Sequence, residues 1–286
     1  MQPATINKLN PMRFAHLNEQ IYCRPWFITS AGHFAIRSLF ESHLARMGSS
    51  GLAAGLELGD LVNARQPLTV DADGVATVHV LGPVGKNLSK MEQACGSTSF
   101  ESVQADMKAA NADPAVKGIL LRVDSPGGTV QGTPETAAIV AESVKPVVAY
   151  TEDVMASAAY YIAAGATKIV ASRSADVGSI GVYIPWVDSS AAIAAAGYKP
   201  DPIVNAGGDL KAMGFGGTLS DAQRAYLQDQ VDEDFAQFRA HILDNRTVPD
   251  SAMRGQTLSG QAAVDAGLVD MLGDIGTART LLLSLR

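Results

Sequence analysis

The stretch DVMASAAYYIAAG, residues 153–165, carries one aliphatic hydroxyl group, that of Ser157, among small apolar side chains. The stretch follows the short apolar run VVAY and favours a helix, so Ser157 is expected near a helix N-terminus, where developing negative charge is stabilised. Such a position suits a nucleophile. A second interpretation stays open, because a serine among alanines often packs on a helix with its hydroxyl bonded to the preceding turn. The stretch also lacks the G-x-S-x-G pattern of a nucleophile elbow.

Paired glycines follow a second apolar run, in the loop DSPGG at residues 124–128. Gly127 and Gly128 allow a sharp backbone turn that points N–H groups at an approaching ligand, as an oxyanion hole or a peptide-binding edge requires. A Pro-Gly pair is also ordinary turn chemistry, so the motif alone is compatible with a plain turn.

A third loop, NAGGDLKAMGFGG at residues 205–217, contains the single lysine Lys211. An amine acts as a base only when it is neutral, and burial in an apolar site favours the neutral form. Apolar loop neighbours such as Leu210, Met213 and Phe215 are candidates for that environment. The alternative is a solvated loop lysine. The histidines are interpreted as surface or packing residues: His79 lies in a predicted strand, His241 in a predicted helix, and His16, His33 and His43 near the N-terminus.

The composition limits the classes of partner and cofactor. The 286 residues are 47% hydrophobic and 18% charged, which suits one α/β domain with attachments or two small domains. The formal charge is −7 and the basic residues are scattered, so nucleic acid is not an expected partner. Cys23 and Cys95 form no zinc or disulfide pattern, and no metal is expected. No uncharged apolar run reaches the roughly 18 residues of a membrane span, so we expect a soluble chain without a membrane anchor.

Alternating strand and helix patterns begin near residue 67. Continuous apolar runs such as VKGILLRV and KPVVAY are typical of parallel strands covered on both faces. Further strands are predicted in GVATVHVLGPV, KIVAS and SIGVYI. Helices are predicted to begin at a Thr98 and Glu101 capping box, at Thr133 with Pro134, at Asp188, and at Ser220 for a long helix with an apolar stripe.

Residues 1–66 differ from the remainder, with three of the five histidines and a slight excess of basic residues. A helix is predicted after a Thr29 or Ser30 cap, with Ile36, Phe40, Leu44 and Met47 on one face. The stretch GSSGLAAGLELGD that follows is typical of a connector. We therefore expect an N-terminal appendage at residues 1–66 and one domain at residues 67–286.

Five segments in this order resemble the serine peptidases of the signal-peptide-peptidase A family, which includes the prohead proteases of tailed phages. They are LRVDSPGG, MASAAYYIAAGATKIVAS, VGSIGVY, GGDLKAMG and LSGQAAVDAGLVDMLGD. The five segments occurring together in this order are specific for the family, although each motif alone is not. The resemblance covers roughly residues 70–275. It implies the crotonase/Clp-protease-like α/β fold of repeated ββα units, and peptide cleavage by a Ser-Lys dyad without a cofactor.

The resemblance also implies a role for individual residues. Ser157 matches the nucleophile and Lys211 the general base, while Gly127 or Gly128 matches an oxyanion-hole donor, together with the N–H of Ala158. The family usually has two glycines where this chain has Ala158 and Ala159. The added methyl groups narrow the site. Asp124 replaces a common asparagine and is assigned a structural role in the turn.

The implied function is a serine endopeptidase that matures a phage or prophage head by cleaving scaffold and portal proteins, in the host cytoplasm or the prohead. The implied assembly is a homo-oligomeric ring with active sites shared between protomers. The alternatives are a signal-peptide peptidase without a membrane anchor, an acyl-CoA enzyme on the same fold, and a catalytically silent structural component. The pair of Ser157 and Lys211 would have no role in an acyl-CoA enzyme, which disfavours that alternative.

Overall fold

The structure is a computed structural model. It describes residues 21, 24–49, 66–89, 92–93, 96–213 and 218–285. The chain divides into two compact units: a small unit of Met1–Pro25 and Val182–Ala236, and a large unit of Trp26–Gly181 and Gln237–Arg286. The predicted boundary after residue 66 adjoins residues 50–65, which lie outside the described residues together with most of the predicted connector, so that boundary stays a prediction.

The described strands are short, and most belong to parallel ladders. They are β1 Trp26–Ile28, β2 Thr69–Val70, β3 Val75–Leu81, β4 Val84–Gly85, β5 Thr98–Ser99, β6 Gly118–Asp124, β7 Gly127–Thr129, β8 Val147–Thr151, β9 Val154–Ala156, β10 Lys168–Ala171, β11 Asp176–Gly178, β12 Thr257–Ser259 and β13 Met271–Leu272.

The described helices range from six to 25 residues. They are α1 Ser30–Ser49, α2 Phe100–Ala112, α3 Thr133–Ala141, α4 Ala158–Ala164, α5 Ser190–Ala195, α6 Asp221–Asn245, α7 Gly260–Asp265 and α8 Ile275–Ser284, with a 3-10 turn at Asp250–Ala252. Among the helices that the structure describes, none combines the length and apolar composition needed to cross a bilayer.

A six-stranded sheet in the order β13-β10-β8-β6-β3-β2 forms the centre of the large unit. Its ladders are parallel except for the antiparallel edge strand β2. The apolar runs predicted as buried strands form β6 and β8, which are buried on both faces as expected for parallel strands under helices. The predicted α/β class with a parallel sheet is confirmed.

Three ββα units recur along the chain. In each unit a strand of the central sheet is followed by a strand of a smaller sheet and then by a helix: β3 and β4 lead through β5 to α2, β6 and β7 to α3, and β8 and β9 to α4. The second strands lie in two smaller sheets, ordered β1-β7-β4-β5 and β12-β11-β9. The predicted repetition of ββα units is therefore confirmed, and every loop between the two strands of a unit lies at the carboxyl end of a central strand.

The C-terminal helix α8 closes one face of the central sheet. Leu282 and Ala278 pack in a buried cluster with Val75, Leu120, Val148, Tyr150 and Val170. A Cβ on Gly118 of β6 would stand 2.9 Å from the Leu282 side chain, so sheet and helix are in close contact. This packing fixes the strands from which the loops of the site emerge.

Replacing Leu282 by alanine is expected to lower the free energy of unfolding by about 2–5 kcal/mol, because it leaves a cavity in a close-packed cluster. Leu282 is 1% exposed, whereas its neighbour Leu283 is only partly buried against the same cluster. Leu283→Ala is therefore the matched control and should cost less. Urea denaturation followed by circular dichroism measures both, and equal losses would show that α8 packs differently.

Several predicted helix starts are confirmed, and three details are wrong. Ser220 caps α6 through reciprocal bonds with Gln223. The cap of α2 is Ser99, whose Oγ accepts the Ser102 N–H, instead of Thr98, whose hydroxyl donates to Leu81 O. The cap of α3 is Gly132 instead of Thr133, and α5 begins one residue later than predicted, with Ser189 at the cap position, although the Asp188 side chain accepts the Ser190 N–H at 2.9 Å.

The strand predicted in SIGVYI lies earlier than expected, at β11. Ser179, directly after β11, has a φ of 50°, which is incompatible with an extended strand. The chain therefore leaves the sheet where the apolar pattern still suggests a strand.

The N-terminal helix is confirmed as α1. Thr29 Oγ1 accepts the Gly32 N–H at 3.1 Å, as an N-cap does. Ile36 is partly buried, while the side chains of Phe40, Leu44 and Met47 lie outside those described. The predicted stripe of α6 is buried at Phe238 and Ile242.

Candidate active site

Ser157 occupies a strained turn between β9 and α4. Its φ and ψ are 55° and −119°, and among the described residues other than glycine only Asn87 and Ser179 share a positive φ. Its N–H donates to Gly178 O at 2.7 Å and its carbonyl accepts the Tyr161 N–H at 2.8 Å, so both ends of the residue are fixed. A strand, a strained serine and a helix form the geometry of a nucleophile elbow, here without the flanking glycines.

The hydroxyl of Ser157 is buried and unpartnered. The residue is 1% exposed, and no hydrogen-bond partner for its Oγ lies among the described residues. Its neighbours Ala156, Ala158 and Ala159 are fully buried. A buried polar atom without a partner costs free energy, and such atoms cluster at functional sites. The alternative interpretation, in which the hydroxyl bonds to the preceding helical turn, does not describe this residue, because Ser157 precedes the helix.

The helix that follows Ser157 is anchored at its far end. Arg246 donates to the carbonyl oxygens of Ala164 and Ala166 and forms an ion pair with Asp270 at 2.8 Å. The fully buried Tyr160 donates its hydroxyl to Leu268 O at 3.0 Å, and burial raises the pKa of that phenol. These contacts hold α4, and therefore the turn at Ser157, in one position.

The glycine loop lies against Ser157. A Cβ on Gly127 would stand 2.9 Å from the Ser157 Cβ, so only glycine allows this approach. Gly127 has a φ of 104°, and its N–H donates to the fully buried Ser125 Oγ at 3.2 Å. Gly128 lies between two strands, because a Cβ there would stand 1.7 Å from Val84 O of β4. The Ala158 N–H belongs to the first turn of α4, where helix geometry supplies no intrahelical acceptor.

The strand β1 also borders the glycine loop. It pairs antiparallel with β7, placing Phe27 opposite Gly128 and Ile28 opposite Gly127. Its three residues are buried. The ring of Phe27 packs against Tyr161 and Phe238, with centroids 5.8 and 4.8 Å apart. A part of the predicted N-terminal appendage is thus integrated into the sheet that carries Gly127 and Gly128.

Lys211 lies in the small unit, whereas Ser157 and the glycine loop lie in the large unit. Its N–H donates to Gly208 O at 2.9 Å in a turn, and its side chain is exposed in the single chain. The apolar neighbour Phe215 lies outside the described residues. The pairing of Lys211 with Ser157 therefore stays a prediction.

The other candidate residues, His241, His79 and Asp124, have contacts that indicate a structural role. The ring of His241 stacks on Tyr161 at 4.2 Å, and its Nε2 lies 2.9 Å from Tyr161 O; burial lowers the pKa of this imidazole. Burial also lowers the pKa of His79, which lies in β3 opposite Arg122 of β6. The carbonyl of Asp124 accepts the Gly82 N–H. Partial desolvation of the Asp124 carboxyl, followed by the negative charge of Asp153, raises its pKa.

Comparison with known protein families identifies the family of this chain. The model of peptidase family S49 matches residues 140–285, which include Ser157 and Lys211. The chain belongs to peptidase family S49. The matched residues begin after Gly127 and Gly128, so the position of those glycines beside Ser157 comes from the structure alone.

Two relatives of this S49 peptidase illustrate the range of the family. Capsid assembly protease C of Escherichia phage lambda is 30% identical over 274 residues, covering 92% of this chain and 62% of that protein. The putative signal peptide peptidase SppA of Enterococcus faecium is 31% identical over 182 residues, covering 61% of this chain and 53% of that protein. The chain thus spans less than two thirds of either relative's length.

Among solved structures, a ClpP1 mutant from Listeria monocytogenes matches the S49 peptidase with a TM-score of 0.47 and 13% sequence identity. The match covers 71% of this chain and 93% of that chain.

Two features of the site were not predicted from the sequence. The run Trp26-Phe27-Ile28 has strand composition and stands between Pro25 and Thr29, yet three residues are too few for a periodic pattern. The acceptor role of Ser125 has no sequence signal, because nothing in DSPGG indicates which way a serine side chain points.

Proposed function

We propose that this S49 peptidase is a serine endopeptidase in which Ser157 is the nucleophile and Lys211 is the general base. The observation that carries the proposal is the Ser157 hydroxyl, which is buried, unpartnered among the described residues and set in a strained strand-to-helix turn. Strain and an unsatisfied polar atom destabilise the folded chain, so a functional role accounts for both.

In the proposed reaction, Ser157 Oγ attacks the carbonyl carbon of the scissile peptide bond while its proton passes to the Lys211 amine. The carbonyl oxygen becomes an oxyanion that accepts backbone N–H groups of the glycine loop and of Ala158. The lysine then returns the proton to the leaving amine, which leaves an acyl group on Ser157. Water hydrolyses this ester by the same proton relay. No step requires a metal or cofactor.

Assembly provides what the single chain lacks for this chemistry. Lys211 is exposed in the single chain, and a neighbouring protomer would supply the apolar surroundings that a lysine base requires. The resemblance to the signal-peptide-peptidase A family implies long forms with two tandem copies of the domain, in which nucleophile and base come from different halves. We therefore propose a homo-oligomeric ring in which Lys211 of one protomer serves Ser157 of its neighbour.

The extent of the two alignments favours a phage role. The lambda relative aligns over 92% of this chain, whereas the SppA relative aligns over 61%. An alignment that covers 92% of a chain of 286 residues must include part of residues 24–49, which contain β1 and α1. We propose that the chain cleaves scaffold and portal proteins during head maturation, inside the host cytoplasm or the prohead. Removal of signal peptides is the second candidate.

Labelling with a fluorophosphonate probe, followed by mapping of the modified peptide, tests the assignment of Ser157. Modification of Ser157 supports an enzyme; a correctly folded, assembled protein without modification there supports a silent structural component. Incubation with scaffold and portal proteins encoded beside this gene, and in parallel with synthetic signal peptides, separates the two substrate classes.

We expect cleavage after small or medium apolar residues such as alanine or leucine, because Ala158 and Ala159 place methyl groups beside the nucleophile. Digestion of a random peptide library, with the fragments sequenced by mass spectrometry, measures this preference. Frequent cleavage after lysine or glutamate would contradict it.

A further inference from the structure

The strand β7, which carries Gly127 and Gly128, has no free edge in this structure. On one side it pairs in parallel with β4, where Val84 lies opposite Gly128. On the other side it pairs antiparallel with β1. An extended peptide that pairs with β7 therefore has to take the place of one of these strands. In the order β1-β7-β4-β5, β4 is held between two strands whereas β1 is the edge strand, so β1 is the strand that can be exchanged.

The β1 side is also the side that reaches Ser157. Three groups converge on the position where a Cβ of Gly127 would stand: Phe27 O at 2.2 Å, the Ser157 Cβ at 2.9 Å and the Ile28 Cα at 3.0 Å. The peptide unit between Phe27 and Ile28 thus borders both Gly127 and Ser157, the two residues that a substrate backbone has to reach.

The hydrogen bonds between β1 and β7 occupy the N–H group of Gly128, which is a proposed donor of the oxyanion hole. The Thr29 N–H donates to Pro126 O at 2.9 Å, which makes these two residues a hydrogen-bonded pair. Such pairs alternate along an antiparallel ladder, so Phe27 and Gly128 form the next one, and the Gly128 N–H donates to Phe27 O. The carbonyl of Phe27 therefore takes the donor that a substrate carbonyl would need.

We infer that β1 is a built-in competitor that occupies the peptide-binding edge of this active site, and that a substrate binds by displacing it. The inference rests on the proposed peptidase function. The free chain is then held in a low-activity state. The competing ligand is an extended apolar peptide that forms the same antiparallel ladder with β7.

The contacts of β1 determine how a peptide can displace it from β7 and which peptide does so. Its ladder is three residues long and has a partner strand on one side only, so few backbone hydrogen bonds break when it leaves, and a displacing peptide has to replace its three buried side chains. The aromatic contacts of Phe27 with Tyr161 and Phe238 give the strand its main anchor. A displacing peptide that carries an aromatic residue at the position of Phe27 makes the same contacts with Tyr161 and Phe238. Tyr161 lies one helical turn after Ser157.

A reversible cross-link tests the inference. Trp26 and Thr129 face each other as a non-hydrogen-bonded pair, whose Cα separation of about 4.5 Å suits a disulfide. The variant Trp26→Cys with Thr129→Cys, in a Cys23→Ala and Cys95→Ala background, locks β1 when oxidised. We expect peptide cleavage by the oxidised form to be at least about tenfold slower than by the reduced form, because the binding-competent state is removed. Labelling of Ser157 by the small fluorophosphonate probe reports separately whether the enzyme is intact.

A second disulfide is the matched control. Val70 of β2 and Ala76 of β3 are an antiparallel pair far from the glycine loop, and cross-linking them through Val70→Cys and Ala76→Cys should leave the cleavage rate unchanged. Equal cleavage by the oxidised and reduced β1 variants overturns the inference while the proposed function stands. Absence of both labelling and cleavage in the unsubstituted protein overturns the proposed function instead.

Hydrogen exchange tests displacement without relying on catalysis. The amides of Phe27 and Thr29 are bonded to β7, so displacement by a peptide exposes them. We expect the heptapeptide RPWFITS, which copies residues 24–30, to accelerate exchange of these amides by about tenfold at saturation. The same peptide with aspartate in place of phenylalanine should have no effect. Unchanged exchange with RPWFITS overturns the inference whether or not the chain cleaves peptides.

Discussion

The Ser157→Ala variant is expected to lose peptide cleavage by at least about a thousandfold while keeping its stability. Catalysis is lost because the variant has no oxygen atom to form the acyl group. Stability is kept because the Ser157 hydroxyl has no hydrogen-bond partner among the described residues, so its removal breaks no bond. Cleavage of casein and urea denaturation measure the two effects.

Ser99 provides a matched control, since it is another buried serine with a hydrogen-bonded hydroxyl. Its Oγ accepts the Ser102 N–H at the start of α2. Ser99→Ala should therefore lower the free energy of unfolding by about 1 kcal/mol and leave cleavage unchanged. The two variants have opposite expected effects. Cleavage by Ser157→Ala at the wild-type rate would show that another residue is the nucleophile.

Mixing two inactive variants, Ser157→Ala and Lys211→Ala, is expected to restore about a quarter of the active sites. In a ring with shared sites, random exchange pairs the intact serine of one protomer with the intact lysine of its neighbour at that frequency. Native mass spectrometry establishes that subunits have exchanged, and peptide cleavage measures the recovery. A dyad within one chain predicts a silent mixture, because each chain then lacks one of its own two groups.

Lys199 is the matched control for the lysine, because it is the other lysine of residues 182–236 and is also exposed. Lys199→Ala should keep wild-type cleavage, whereas Lys211→Ala and Lys211→Arg should both be inactive. Arginine keeps the charge but its guanidinium group stays protonated and cannot act as a base. Activity in Lys211→Arg would exclude a lysine base, and a silent mixture after proven exchange would exclude the shared site.

Local sequence patterns predicted most of the fold of the large unit. The runs that form β6 and β8 are apolar without alternation, and burial on both faces follows directly from that composition. Helix starts were predicted to within one residue, as at Ser99 and Ser220, because caps are chosen by short-range hydrogen bonds. The prediction of a strand after Gly178 was wrong. The positive φ of Ser179 depends on tertiary surroundings, and the apolar pattern of the sequence does not indicate it.

The types of residue in the candidate site were identified from the sequence, but their arrangement was not. Ser157, Lys211 and the paired glycines were selected by chemistry and by resemblance to a family. The approach of Gly127 to Ser157 joins residues 30 positions apart, and the ladder between β1 and β7 joins residues about 100 positions apart.

The sequence by itself determined the α/β class and the parallel strands, because both depend on composition and spacing within about 15 residues. The tertiary structure alone decided that Ser157 is strained and unpartnered, that Ser125 receives the Gly127 N–H, and that β1 lies on the glycine strand. Those features arise when chain segments that are distant in sequence compete for the same backbone donors, and no local pattern records the outcome of that competition.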